Sequence, residues 1–340
     1  MTNNKKIVKM PFMTIKIPCP IFGKCGGCLY QDLTDKAYRQ KKKTFIERAF
    51  ADYGTDVPLQ EIREVPLQTR RRASFEYRKG LVGYHAIKSH QIVDVTDCPI
   101  LKPDIVSFLP TLKTWSQQLG GRGEFFILST EWGLDIHIKT ADGKQPTFQK
   151  LEQLAKMAGD ERVVRLTFNG EPIVQKTLLP FLPDAFLQPS AEGEKILTDL
   201  MLEATENVRN AIDLFCGSGT FTRPMMQQGI KVIGYDCSDS VLLLGANGIQ
   251  RDLFRSPLLP EEMEKSDLIV LDPPRAGAKA QVEQIARTNV PKIVMISCSP
   301  KTAARDCKIL IDAGWHLNKV TPVDQFRWSN HIELVCILER

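Results

Sequence analysis

A doubly wound α/β domain preceded by an α+β half is the fold class this chain predicts, and three observations carry that reading. Beyond the proline-marked junction Leu178-Leu179-Pro180-Phe181-Leu182-Pro183, helical and strand-like stretches alternate, as in a mainly parallel sheet covered on both faces. A glycine turn, Gly217-Ser218-Gly219, follows the first strand-like run of that half. Upstream of the junction, short alternating runs separated by turn residues dominate. At 340 residues the chain exceeds the usual length of one domain, and 43% apolar residues suffice for a sizeable core. Two domains are therefore expected, 1–185 and 186–340.

Taken in order, Asp35 to Tyr53 reads as a helix, with Tyr38, Phe45, Ile46, Ala49 and Tyr53 on its apolar stripe, Lys41-Lys42-Lys43 on the other face and Gly54 as its stop. Glu61 to about Val174 is mostly strand-like: Ser74–Arg78, Gln91–Val95, Glu124–Leu128, Leu134–Ile138 and Val163–Leu166, an antiparallel sheet with one wet face. Ser190 then caps a helix carrying Ile196, Leu197, Leu200, Met201 and Ala204, with Glu192 and Glu194 near its positive end. Strands follow at Ala211–Phe215, Lys231–Asp236, Asp267–Leu271 and Lys292–Ile296, each followed by a helix, and Leu334–Leu338 closes the series.

Several function classes are excluded. The opening Met1 to Pro11 is too broken by charge and proline for a signal-peptide core, and no uninterrupted apolar stretch approaches a bilayer span, so a cytoplasmic protein without membrane contact is expected. In that reducing compartment nine cysteines point to metal binding or catalysis rather than to a disulfide framework. The net charge of +5 is unevenly spread: residues 1–50 hold eleven Lys and Arg against three acids, and Arg70-Arg71-Arg72 adds a further cluster. Such a bias fits a surface that meets phosphates, with the three arginines as candidate RNA contacts. Nothing suggests an obligate protein partner.

The loop Asp213-Leu214-Phe215-Cys216-Gly217-Ser218-Gly219-Thr220 lies between a strand and a helix, where backbone amides can approach a ligand, and Asp236 ends the next strand, placed for the hydroxyls of a ribose. A dinucleotide fingerprint would place a third glycine at Thr222. Its absence favours S-adenosylmethionine, which has no pyrophosphate to cradle. Asp252, ahead of the third strand, is a candidate near the adenine. Asp272-Pro273-Pro274-Arg275 and Cys298 each follow a strand, at the end of the sheet where such folds bind ligands. Alone, Cys298 would read as a buried structural thiol and Asp272 as a helix cap; beside a nucleotide loop they read as chemistry.

A second constellation is Cys19-x5-Cys25-x2-Cys28 with a distant Cys98, where Gly26-Gly27 permits the close turn that two neighbouring ligands need. Four thiols predict a tetrahedral metal site, and their spacing leaves zinc and a four-iron cluster equally open. Cys216, Cys237, Cys307 and Cys336 read as packing residues.

Together, Asp213 to Thr220, Asp272-Pro273-Pro274-Arg275, Ser297-Cys298-Ser299-Pro300 and His331-Ile332-Glu333 resemble the RNA 5-methyluridine methyltransferase family, and the match extends to Arg70-Arg71-Arg72-Ala73, Ser89–Asp94 and Cys98–Leu101. The resemblance implies a Rossmann-like class I methyltransferase domain behind an RNA-binding α+β domain carrying a [4Fe-4S] cluster. It implies Cys298 as the nucleophile that adds to carbon 6 of uracil, Glu333 as the base that takes the proton from carbon 5, and Asp272 and Gln188 at the uracil and methyl donor. The target nucleotide must be extruded from its stack to reach them. Asp236 stands where the family more often has glutamate, Pro189-Ser190 follows Gln188 where many relatives carry an asparagine, and the stretch before Cys19 is too short for the small β-barrel some relatives carry. The expected product is 5-methyluridine in 23S ribosomal RNA, with a transfer RNA T-loop as the alternative substrate. A non-catalytic RNA-binding or assembly protein is the alternative of another class, one that would need neither Cys298 nor Glu333.

Overall fold

The computed structural model describes residues 17–183 and 185–340; the reading of Met1 to Pro11 falls outside the described residues. The cysteine-bearing segment leads into α1 (Asp35–Ala51), started by Thr34, whose hydroxyl accepts the Ala37 N–H, and then into the short strand β1 (Arg63–Glu64). Helical phase places Lys42, not Phe45, in line with Tyr38, Ile46 and Ala49 at intervals of three and four residues. This corrects the expected stripe: Phe45 is half exposed, and Lys42 points inward.

Inside, Lys42 Nζ pairs with Asp324 Oδ1 at 3.2 Å and donates to the His331 carbonyl, while the Tyr38 hydroxyl donates to Asp324 Oδ2 at 2.6 Å. Both charged groups are out of water, so each is tolerable only because of the other. Lys42→Met should cost about 3–5 kcal/mol in urea unfolding by stranding Asp324. A change within about 0.5 kcal/mol would show that the pair carries no weight.

The amino-terminal sheet is built from β2 (Arg72–Arg78), β3 (Leu81–His85), β4 (Ile92–Asp94), β5 (Arg122–Ser129), β6 (Leu134–Thr140), β7 (Val163–Phe168) and β8 (Glu171–Gln175). It contains two helices that the strand-like reading of 61–174 missed, α2 (Pro103–Leu119) before β5 and α3 (Phe148–Met157) between β6 and β7. In α2 the apolar positions Ile105, Phe108, Leu109, Leu112 and Trp115 follow helical spacing and pack on Phe75, Tyr77 and Phe125. Their burial, about 1.5–3 kcal/mol for each large side chain, outweighs the hydrogen bond lost at the exposed Pro110. The sheet order is β4-β3-β2-β5-β6-β7-β8, antiparallel except where α3 carries the chain across between the parallel β6 and β7.

The second half follows with α4 (Ala191–Leu202), β9 (Asn210–Leu214), α5 (Thr222–Gln227), β10 (Lys231–Asp236), β11 (Gly248–Gln250), α6 (Pro260–Met263), β12 (Leu268–Leu271), α7 (Lys279–Ile285), β13 (Lys292–Ser297), α8 (Pro300–Asp312), β14 (His316–Asp324) and β15 (Glu333–Glu339). Ser190 caps α4 as expected, accepting the Gly193 N–H at 3.0 Å. After β10 the expected helix is a tight 3₁₀ segment, Asp239–Asn247, broken at Gly245, which has φ +60°. β14 was not expected either, because its polar first half hides the alternation of a strand.

The sheet order is β1-β14-β15-β13-β12-β9-β10-β11, with β13, β12, β9, β10 and β11 parallel and β15 antiparallel between β13 and β14. β12 is buried along its whole length, as a central parallel strand must be. α1 and β1, which the sequence assigns to the amino-terminal half, lie in this carboxy-terminal unit: Ile46 and Phe50 share a core with Ile212, Ile269 and Trp315, and β1 pairs with β14.

Candidate active site

Parallel strands deliver their carboxyl ends to one side of the sheet, and that side carries the expected constellation. Leu214 of β9, Leu271 of β12 and Met295 of β13 lie in register, so Phe215, Asp272 and the Ser297-Cys298 step emerge together. Antiparallel β15 begins where β13 ends, with Leu334 opposite Ser297, and this places Glu333 beside Cys298. A cavity of about 470 Å³ opens there, lined by Gln188, Phe215, Gly217, Thr220, Asp236, Asp252, Asp272, Cys298 and Glu333 among others.

The glycine loop is shaped by backbone demands. Phe215 has φ +63°, a left-handed conformation uncommon for a bulky residue, and its ring lies 5.4 Å from that of Phe254. Gly219 has φ +93°, and a β-carbon there would sit 2.6 Å from Leu244 Cδ2. Asp236 accepts the Gly217 N–H at 3.0 Å and the Ser238 N–H at 2.7 Å, which fixes its carboxylate at the cavity edge.

Two of the expected cofactor residues, Asp213 and Gly219, lie behind this wall rather than in it. Asp213 is fully buried, accepts the Thr222 hydroxyl at 2.6 Å, and leaves its Oδ1 unpartnered among the described residues; burial pushes its acid up to about 7. It supports the loop from below. The cavity also takes in Phe186, Arg251, Phe254 and Arg275, which sequence reading did not select. Arg275 stands inside the quoted Asp-Pro-Pro-Arg motif, whereas Phe254 carried no signal beyond its place two residues after Asp252.

Electrostatics set the reactivity. Burial pushes the Glu333 acid up to about 7, partly offset by the neighbouring Gln325 amide. Asp272 is pushed well above the carboxylate range by desolvation and then by the charges of Glu333, Asp213 and Asp236. Burial, followed by the Glu333 and Asp272 carboxylates, lifts the half-buried Cys298 thiol to about 11. A carboxyl tuned near neutrality beside a thiol is a proton acceptor matched to chemistry at pH 7. Gln188 Nε2 donates to Asp272 Oδ2 at 3.4 Å.

The arginines have separate settings. Arg71 is committed to Glu194 at 2.6 Å and to the Gln188 carbonyl at 2.9 Å, so it braces the cavity wall. Arg70 lies over the Phe326 ring and Arg72 over the Phe186 ring. Cys19, Cys25, Cys28 and Cys98 are all free, half-buried and within electrostatic reach of one another. Gly26 donates to the His85 carbonyl at 2.9 Å, and a β-carbon at Gly26 would meet that same oxygen at 2.9 Å, which is why the turn needs glycine. Backbone N–H groups of Gly27, Ile100 and Leu101 donate to the sulfurs of Cys25 and Cys98. Among the described residues, no three His, Cys, Asp or Glu side chains converge on a single metal ion. Nor is any described helix long and apolar enough to cross a membrane.

Comparison with known proteins adds to this geometry. The family model described as tRNA (Uracil-5-)-methyltransferase matches residues 259–340. An uncharacterized RNA methyltransferase of Agrobacterium fabrum is 35% identical over 353 residues, covering 95% of this chain and 84% of that protein. The 23S rRNA (uracil(1939)-C(5))-methyltransferase of Pectobacterium atrosepticum is 27% identical, covering 98% of this chain and 82% of its own length. Among solved structures, the Pyrococcus abyssi tRNA (uracil-54, C5)-methyltransferase in complex with S-adenosyl-L-homocysteine superposes with a TM-score of 0.69 at 19% identity, covering 92% of this chain and 86% of that one. That superposition shows the α/β methyltransferase fold.

Proposed function

The chain belongs to the RNA (uracil-5-)-methyltransferase family and is an S-adenosylmethionine-dependent enzyme, and from that premise we propose that it methylates carbon 5 of a uridine in 23S ribosomal RNA through a covalent adduct on Cys298. The observation that carries this reading is the juxtaposition of Cys298 and Glu333 on paired strands facing one cavity with the glycine loop. Mere RNA binding requires neither residue.

The donor fits the wall it would occupy: Gly217 and Thr220 border the space for its methionine part, Asp236 is poised for the ribose hydroxyls, and Asp252 with Phe254 borders the adenine end. Bound there, S-adenosylmethionine supplies an electrophilic methyl group. Carbon 5 of uracil is a poor nucleophile. Cys298, as the thiolate, therefore bonds to carbon 6, and the ring electrons pass through carbon 5 as an enolate that would take the methyl as its bond to the sulfonium breaks, leaving S-adenosylhomocysteine. The Glu333 carboxylate then removes the carbon 5 proton, the double bond re-forms, and the carbon–sulfur bond breaks to free Cys298. Gln188 and Asp272 orient the base, and Arg70 and Arg72, each over an aromatic ring, hold the RNA near the extruded nucleotide.

Cys19, Cys25, Cys28 and Cys98 hold a structural [4Fe-4S] cluster in this reading. All four thiols are half-buried, and Cys28 lies within electrostatic reach of the other three, which gathers the sulfurs that such a cluster needs. The N–H donors aimed at Cys25 and Cys98 suit thiolate sulfur.

Anaerobically purified protein is expected to be brown and to contain iron and sulfide; a colourless, zinc-loaded preparation would overturn the cluster. With labelled S-adenosylmethionine and total RNA, digestion should release labelled 5-methyluridine from the 23S fraction. Label in transfer RNA would replace the ribosomal substrate, and label in cytidine or adenosine, or none, would sink the proposed chemistry.

A further inference from the structure

We propose that Gln325 is the positioning residue that ties the general base to the cavity wall, holding Glu333 and Gln188 in one hydrogen-bonded line that ends on Asp272. The inference rests on the function proposed above and extends it to a residue that none of the motifs includes.

Gln325 follows Asp324, the last residue of β14, and stands two residues beyond Val323, which pairs with Glu333. It is 3% exposed. A buried amide is costly unless its hydrogens are used, so such a side chain needs a reason that an apolar one of equal size would not supply. Its Nε2 donates to Gln188 Oε1 at 2.8 Å, and Gln188 Nε2 in turn donates to Asp272 Oδ2 at 3.4 Å. In the β14–β15 register the same amide is the diagonal neighbour of Glu333, and it draws that acid down against the rise that burial causes. Acid, base and base-binding amide are thereby joined through one residue.

The fold makes room for it. A β-carbon at Gly193 in the first turn of α4 would stand 2.5 Å from Gln325 Oε1, so glycine there keeps the amide in place although that turn needs no left-handed backbone. The other ionisable groups around Glu333 are the Cys298 thiol at the end of β13, the Asp272 carboxyl at the end of β12, and Asp324 on β14, which is held by Lys42. None of these donates to Glu333. Gln325 favours its ionised, proton-accepting form.

The test is a single-turnover pH profile on full-length wild type, Gln325→Met and Gly193→Ala, with RNA transcript and S-adenosylmethionine. Methionine fills the same volume without the amide. The rise of adduct breakdown with pH should move up by about one pH unit in Gln325→Met, slowing release roughly fivefold at pH 7 while KM for S-adenosylmethionine stays within about threefold. Gly193→Ala, which keeps every polar group and is compatible with its helix, should shift the profile in the same direction. A lower Tm with an unmoved profile in both variants would reduce Gln325 to a packing residue and overturn the inference. Wild type that forms neither adduct nor 5-methyluridine would sink the underlying function, and the inference with it.

Discussion

Replacing Cys298 by alanine should lower methyl transfer to uridine by at least about 10⁴-fold while leaving S-adenosylhomocysteine affinity unchanged. The thiol lines the cavity without supporting the glycine loop, so its loss removes the bond-forming sulfur and little else. The wild-type rate should also carry a mark of the thiol's setting. Burial and the Glu333 and Asp272 carboxylates lift it to about 11, so the thiolate fraction, and with it the rate of adduct formation, should grow close to tenfold per pH unit below that value. Residual turnover within tenfold of wild type would exclude Cys298 as nucleophile.

A second substitution should split the reaction in two. In Glu333→Gln the sulfur can still add and the methyl can still be taken up, but the carbon 5 proton has no acceptor, so a protein–RNA species that survives denaturation should accumulate in the presence of S-adenosylmethionine. Absence of that species, with turnover preserved, would remove Glu333 from the mechanism. The same variant should be more stable than wild type at pH 8. Glu333 is almost fully buried and its folded pKa, about 7, lies above the ordinary 4.5. Sign follows directly: a raised acid binds its proton more tightly when folded, so stability is fully present below pH 4.5 and is lost as pH rises through 7. A neutral amide escapes that loss, worth roughly 3 kcal/mol at pH 8 and under about 1 kcal/mol at pH 5. Equal Tm values for the two proteins at pH 8 would show that the carboxylate is better solvated than its surroundings indicate.

That Asp272 and Cys298 lie together could be read from the chain because a parallel sheet sends every strand's carboxyl end to the same side. Once Leu268–Leu271 and Lys292–Ser297 are recognised as neighbouring strands, Asp272 and Cys298 must meet, whatever the packing around them. Asp236 and the glycine loop follow by the same rule. Other assignments depended on information that local pattern does not hold. Lys42 looks like a surface residue in Lys41-Lys42-Lys43, yet it is buried because its partner, Asp324, arrives from a strand 282 residues away. Arg71 belongs to a basic triplet but spends its charge on Glu194. Helix α2 was hidden by a proline within an apolar stripe, and β14 by its polar face.

What the sequence by itself determined is the order of chemical parts along the chain: the cysteine segment, the glycine turn, Asp272, Cys298 and Glu333. Strand periodicity and turn chemistry are short-range, and residue type already limits which atoms can act as nucleophile or base. Tertiary structure alone decided that Glu333 faces Cys298, that the buried Gln325 amide reaches Gln188, and that a thiol and two carboxyls have displaced proton affinities. Those properties come from strand register and desolvation, which exist only once distant segments have excluded water from the space between them.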